Sequence, residues 1–206
     1  MLFLLTGDVQ IGKTRWLEGL AADLAARGVD VAGVLAPGRW VPADGESADA
    51  NGLEKVGIDN VLLPGGERVA FARRHDLARA EGTYDAASQA GRAGLAWHIS
   101  DAAIRRVNAH LADLAVRPGR AQLLVVDELG RLELERGEGL TAALDVLGAG
   151  PAAFPHAVAV VRPDLCERAE ALLGPAWGDV ARIAPDARGR RLVLGALGLA
   201  DGAKPA

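Results

Sequence analysis

One stretch near the start of the chain, Gly7-Asp8-Val9-Gln10-Ile11-Gly12-Lys13-Thr14, constrains the fold more than any other. It matches G-x-x-x-x-G-K-[ST], a pattern that means something only in the right setting. Here Leu2-Phe3-Leu4-Leu5-Thr6 precedes it as a short buried strand. Arg15 through Leu24 follows, with apolar residues at 17, 20, 21 and 24, which is helical spacing. Strand, glycine loop and helix together predict an α/β fold whose first turn faces a phosphate-bearing ligand.

The chemistry explains each fixed position. Gly7 and Gly12 let the backbone turn tightly and approach a polyphosphate with no side chain in the way. The loop N–H groups and the first helical turn then point at the anion, and the helix dipole adds to the attraction. Lys13 is expected to reach the β/γ-phosphates, and the Thr14 hydroxyl to hold Mg²⁺. The expected nucleotide contacts are therefore Gly7, Asp8, Val9, Gln10, Ile11, Gly12, Lys13, Thr14 and Arg15. Lysine is rare in this chain, with three residues at 13, 55 and 204, so its presence in the loop is informative.

A site of this kind needs an acid at the end of a neighbouring buried strand. Ala121-Gln122-Leu123-Leu124-Val125-Val126-Asp127-Glu128 supplies one. Four apolar residues without alternation suit a central parallel strand covered on both faces. Asp127 is the expected second Mg²⁺ partner. Glu128 points the other way along the strand and is the expected base that orients an attacking water.

With both motifs in hand, the chain resembles the small P-loop nucleoside-triphosphatases of the THEP type, also called cancer-related nucleoside-triphosphatases. Three stretches carry the likeness: Leu4 through Thr14 with the later Val29–Val34; Gly57-Ile58-Asp59-Asn60-Val61-Leu62-Leu63; and Val126-Asp127-Glu128-Leu129-Gly130-Arg131-Leu132-Glu133-Leu134. The last is the most specific. The likeness spans most of residues 2–195, with 37–56 and 73–94 aligning poorly. It implies slow, broad-specificity, Mg²⁺-dependent hydrolysis of ATP, GTP and other nucleoside triphosphates. It maps Asp127 and Glu128 onto the Walker B acids, and Arg131 and Glu133 onto the basic and acidic positions after them. One departure stands out: Gln10 occupies a place where many such loops have a third glycine.

The expected architecture is a three-layer P-loop fold with a mostly parallel central sheet and a small β-hairpin insertion, in one domain over 1–197 with a loose tail at 198–206. Strand two is expected at Val29–Ala36, followed by a loop over Pro37–Val56. Gly57–Leu63 and Arg68–Ala72 flank Pro64-Gly65-Gly66 as a hairpin. Arg73–Gly94 gives no clear pattern, and Leu95–Ile99 reads as a short strand. A helix capped by Ser100 or Asp101 runs to about Val116, with 104, 107, 111 and 114 on one face. A helix near 138–148, a strand at His156–Val161, a helix at 164–173 stopped by Gly174-Pro175, a strand at Val180–Ala184 and a helix at Arg191–Leu197 complete the chain. Residues 37–99 thus form an inserted block that either grips a ligand at the edge where α/β folds bind them or only covers the sheet.

The remaining features mostly exclude. A formal charge of −4 and a pI near 5.6 do not support a nucleic-acid binder. The single cysteine, Cys166, fits a reducing cytoplasm. No segment has the ~18 apolar residues of a membrane span, and Met1–Leu5 lacks the basic flank of a signal peptide. His75, His98, His110 and His156 show no metal-ligand spacing. Trp97 reads as core and Trp40 as a loop anchor.

Arg162, at the end of the His156–Val161 strand, and Arg131 are the favoured partners for transition-state charge. Three functions stay open on the residues alone: an NTP hydrolase, a kinase using Arg73-Arg74 or Arg188–Arg191 as a lid, and a nucleotide-gated module with negligible turnover. A guanine-selective GTPase is disfavoured by the lack of an N-K-x-D or T-K-x-D element.

Overall fold

Apolar runs that alternate across a pleated sheet must be covered on both sides, and here they are. The computed structural model describes residues 1–44, 51–117 and 119–199. The first half of the chain runs β1 (Leu2–Leu5), α1 (Lys13–Ala26), β2 (Val31–Leu35), β3 (Gly38–Pro42), β4 (Leu53–Leu63), β5 (Glu67–Arg74), α2 (His75–Ala80), α3 (Gln89–Arg92) and β6 (Trp97–Ile99). The second runs α4 (Asp101–Val116), β7 (Leu123–Leu129), α5 (Thr141–Gly148), β8 (His156–Val161), α6 (Cys166–Trp177), β9 (Val180–Ile183) and α7 (Ala187–Ala196).

The nine strands among the described residues join one sheet, in the order β6-β5-β4-β2-β7-β8-β1-β9, with β3 paired to β4. The five strands from β2 to β9 in that order are parallel. Leu2, Leu4, Leu124, Val126, Ala157 and Ala159 face one way and pack under α4, α5 and α6. Phe3, Leu5, Leu123, Val125, Val158 and Val160 face the other way, against Leu17, Leu20 and Leu24 of α1 and Val193 and Leu194 of α7. These are the three expected layers. Burial of these side chains, at about 25 cal/mol per Å², is the main term holding them.

The insertion is larger than a hairpin. Its four strands extend the sheet in antiparallel fashion through β4, which pairs with β2. The hairpin at 64–66 stands as expected, but β4 begins at Leu53 and β3 fills Gly38–Pro42, where a loop was expected. β3 escapes a periodicity reading because it pairs on one edge only and four of its five residues are exposed, so neither face selects apolar residues. Residues 45–50 of that expected loop lie outside the described residues.

Other boundaries shift for local reasons. The unpatterned stretch 73–94 holds the short helices α2 and α3; Ser88 caps the latter by accepting from Gly91 N–H. Ser100 caps α4 by accepting from Ala103 N–H, as expected. Gly174-Pro175 does not stop α6, which runs to Trp177. The buried Trp177 donates its indole N–H to Leu147 O at 2.7 Å, which holds the extra turn past the proline until Gly178 ends it. α7 starts earlier than expected because Asp186 caps it, accepting from Gly189 N–H at 2.7 Å. Of the expected tail, Leu199 packs on the core, and 200–206 lie outside the described residues. Among the described residues no helix is long and apolar enough to cross a membrane.

Candidate active site at the carboxyl edge of the sheet

The loop after β1 needs three unusual backbone conformations to close onto α1, the first at Gly7 with φ 142°. Gly12, at the helix N-cap, has φ 91°, and Gln10 has φ 66°. Gln10 therefore adopts the left-handed conformation that glycine takes most easily, which accounts for the third glycine found there in similar loops. Its side chain is exposed, together with Asp8, Val9 and Ile11 at the loop tip. No side chain caps α1, and no acidic residue lies in its first turn. The helix N-terminus thus presents backbone N–H groups and an unopposed dipole to an anion. Lys13 Nζ donates to Gly7 O at 2.7 Å and to Asp8 O at 2.6 Å. Burial lowers its pKa, against the raising pull of Glu128. Arg15 is exposed on the first turn.

The acids do not arrive from the strand next to β1. β8 lies between β1 and β7, so the acid strand is one place further along the sheet than a direct neighbour. The gap is nonetheless closed: Thr14 Oγ1 donates to Asp127 Oδ1 at 3.3 Å, and Ala36 N–H donates to Oδ2 at 2.9 Å. Asp127 is 4 % exposed. Burial pushes its pKa up to about 6, against those two hydrogen bonds. A hydroxyl and a carboxylate that converge, with the carboxylate buried and short of positive charge, suit a hard cation with oxygen ligands such as Mg²⁺.

Glu128 faces solvent instead, and its backbone is strained at φ 92°. The pairing of β7 with β8 slips between Val126 and Leu129. A bulge of this kind re-aims a side chain at the end of a strand, and positive φ in a glutamate is the sort of strain that clusters at working sites. Neither feature is visible in the sequence.

The two candidate arginines part company. Arg162, just past the end of β8, the strand between loop and acids, has Nη2 3.5 Å from Glu128 Oε1. Arg131 pairs with Asp164 at 3.5 Å. Of the arginines considered for a lid, three are engaged elsewhere: Arg73 with Glu81, Arg74 with Glu54 and Asp76, and Arg190 with Asp23. Glu133 is buried and accepts from Gly130 N–H at 2.9 Å and Leu140 N–H at 2.8 Å, so it ties together the turn that follows the acids.

Lys55 of β4 went unnoticed in the sequence. Its ammonium lies 5.4 Å from the Trp97 ring centroid, where it interacts with Glu128 and Asp127. The signal was available: two of only three lysines bear on this site in a chain that otherwise uses arginine. Trp97 is half-buried beside the acids rather than in the core, and Trp40 lies on the exposed edge strand β3.

A parallel α/β sheet, a phosphate loop after its first strand and an acid pair at its carboxyl edge together define a P-loop NTPase fold. The family model described as NTPase matches residues 2–154, and the chain belongs to that family of nucleoside-triphosphatase enzymes. The resemblance read from the motifs is thereby borne out. The chain is also similar to the solution structure of a human cancer-related nucleoside triphosphatase, at 19 % identity and a TM-score of 0.55, over 96 % of this chain and 94 % of that one. That likeness is one of fold. No curated protein matches the chain.

Proposed function

We propose that the chain hydrolyses nucleoside 5′-triphosphates, ATP and GTP among them, to diphosphate and phosphate, in an Mg²⁺-dependent reaction with little preference for the base. The observation that carries this reading is the Thr14–Asp127 convergence at 3.3 Å with Glu128 exposed beside it. The loop N–H groups and Lys13 would hold the β- and γ-phosphates. Thr14 and Asp127 would hold Mg²⁺, which when bound neutralises charge on the phosphate oxygens. Glu128 would orient a water in line with the γ-phosphorus and accept its proton. Arg162, already beside Glu128, would meet the charge that develops on the transferred group. Arg131 is a weaker candidate, being held by Asp164. The absence of a guanine-reading motif in the sequence favours broad base use. The single buried thiol suits the cytoplasm.

The test is phosphate release from ATP, GTP, CTP and UTP, with Mg²⁺ or with EDTA, for wild type and Glu128→Gln. The reading expects similar rates across the four, loss in EDTA, and a fall of about 100-fold or more in the variant. Release that needs an added acceptor, or that survives Glu128→Gln unchanged, overturns it.

A further inference from the structure

Glu133 is 8 % exposed, in a place where a carboxylate costs free energy unless its oxygens are paired. Burial pushes its pKa up. Both oxygens are used, and each holds a different segment. Oε2 accepts from Gly130 N–H at 2.9 Å, just beyond Glu128 in the chain. Oε1 accepts from Leu140 N–H at 2.8 Å, at the N-cap of α5. The backbone of Glu133 belongs to a single π-helical turn, Leu132–Arg136, a rare geometry that is frequent at functional sites.

The far end of this turn is backed by the insertion. Gly139 N–H donates to Gln89 Oε1 of α3 at 2.7 Å, and Asn108 Nδ2 of α4 donates to Gly139 O at 2.8 Å. Gly139 has φ 73°, and a Cβ there would press into Glu133 Oε1. The near end is the strained backbone of Glu128 at φ 92°. β7 slips against β8 between Val126 and Leu129, so regular strand pairing does not fix that backbone. The grip of Glu133 on Gly130 N–H clamps it from the carboxyl side instead.

We propose that Glu133 is a positioning residue for Glu128: its carboxylate, held between Gly130 and Leu140 and backed by Gln89 of the insertion, maintains the backbone conformation that presents the Glu128 side chain. The proposal rests on the reading of Glu128 as the group that orients water. A carboxylate suits the place because both of its partners are donors. Glutamine offers one acceptor oxygen, so Glu133→Gln must turn its amide N–H against Gly130 or Leu140 and release that end.

The test is steady-state phosphate release from Mg²⁺-ATP by Glu133→Gln and Gly139→Ala, each alone and combined with Glu128→Gln. Each alone should lower kcat by about tenfold or more, the usual consequence of a misplaced reacting group, with KM within about twofold of wild type. Neither should lower it further in the Glu128→Gln background, because both act through that side chain. Gln89→Leu, which removes only the backing hydrogen bond, should show the same pattern at about threefold, and it decides the matter where the buried variants do not fold. An equal fall in both backgrounds, or a raised KM with kcat unchanged, overturns the proposal, since a merely structural role gives the first and a binding role the second. If Glu128→Gln itself keeps full release, the reading of Glu128 is at fault. A crystal structure of Glu133→Gln or Gln89→Leu then still tests the clamp: Glu128 should leave positive φ, and an unchanged turn overturns it.

Discussion

Strands β1, β2, β7 and β8 carry almost wholly buried residues, while β3, β4 and β5 of the insertion are largely half-buried or exposed. Both groups belong to one sheet. The parallel half is held by two apolar layers. The antiparallel half carries many surface ion pairs, among them Arg39–Asp59 at 3.3 Å, Arg74–Glu54 and Arg106–Glu67. The difference matches what each half contributes to the site. Groups that must meet at fixed spacing, Lys13, Thr14 and Asp127, sit on the close-packed half. Lys55 and Trp97, which lie near the acids, sit on the half whose side chains are less confined.

The largest expected contrast is between two lysines. Lys13→Ala should lower phosphate release by about 10²–10³-fold, the usual cost of removing a positioned donor to developing phosphate charge. Lys55→Ala should lower it by less than about tenfold, because Lys55 acts on the acids through its charge from β4 rather than from the loop. Equal losses would break the division of labour. Thermal melts of both variants near that of wild type would show that the loss is chemical.

Two glycines sharpen the comparison on the stability side. Gly33 of β2 has φ 119°, and a Cβ there would press into the backbone carbonyl of Val125 on β7. Gly66, in the insertion's hairpin turn, has φ 74° with open space around it. Gly33→Ala should cost about 4 kcal/mol or yield no folded protein, since the neighbouring strand cannot retreat. Gly66→Ala should cost about 1 kcal/mol, from the backbone conformation alone. Urea unfolding of the two variants gives the comparison directly.

The same division governs what the sequence made legible. Unbroken apolar runs at Leu2–Leu5, Leu123–Val126 and Ala157–Val161 announce central strands, because a residue buried on either face must be apolar. The loop and the acid pair were readable because their chemistry fixes residue types at short spacing. The placement of β8 between β1 and β7 was not, since strand order depends on long-range pairing. β3 left no pattern because most of it faces solvent. Lys55 of β4 and Trp97 of β6 meet from separate strands, and each alone looks like an ordinary surface or core residue. Glu128 was found by type, but the bulge that exposes it is a property of two strands in register.

A smaller effect concerns a buried acid of the core half. Asp127 keeps its proton in the folded chain to about pH 6, whereas an unfolded aspartate loses it near 3.8. Between those values the folded state holds the extra proton, so stability falls as pH rises from about 4 to about 6 and then levels. The total is about 3 kcal/mol. Asp127→Asn should remove this fall: in EDTA, variant and wild type should be close at pH 4, and the variant the more stable at pH 7. The same variant should lose Mg²⁺-dependent phosphate release. A wild-type stability that rises over this window would show that the carboxylate is better compensated than its neighbours suggest.

The smallest expected effect lies on the insertion. Arg106 of α4 and Glu67 of β5 form an ion pair with both side chains nearly half exposed. A pair in that setting gains modest Coulomb energy and loses side-chain freedom, so Arg106→Gln should cost less than about 1 kcal/mol. High salt should shrink the difference further, because exposed charges are screened within about 3 Å at 1 M. Urea unfolding at low and high salt measures both. A cost as large as that of Gly33→Ala would mean that the insertion is held as tightly as the parallel half, and that its ion pairs act as one network. A small, salt-sensitive cost leaves the insertion as the part of the sheet able to adjust around a bound ligand, while the loop and acids keep their spacing.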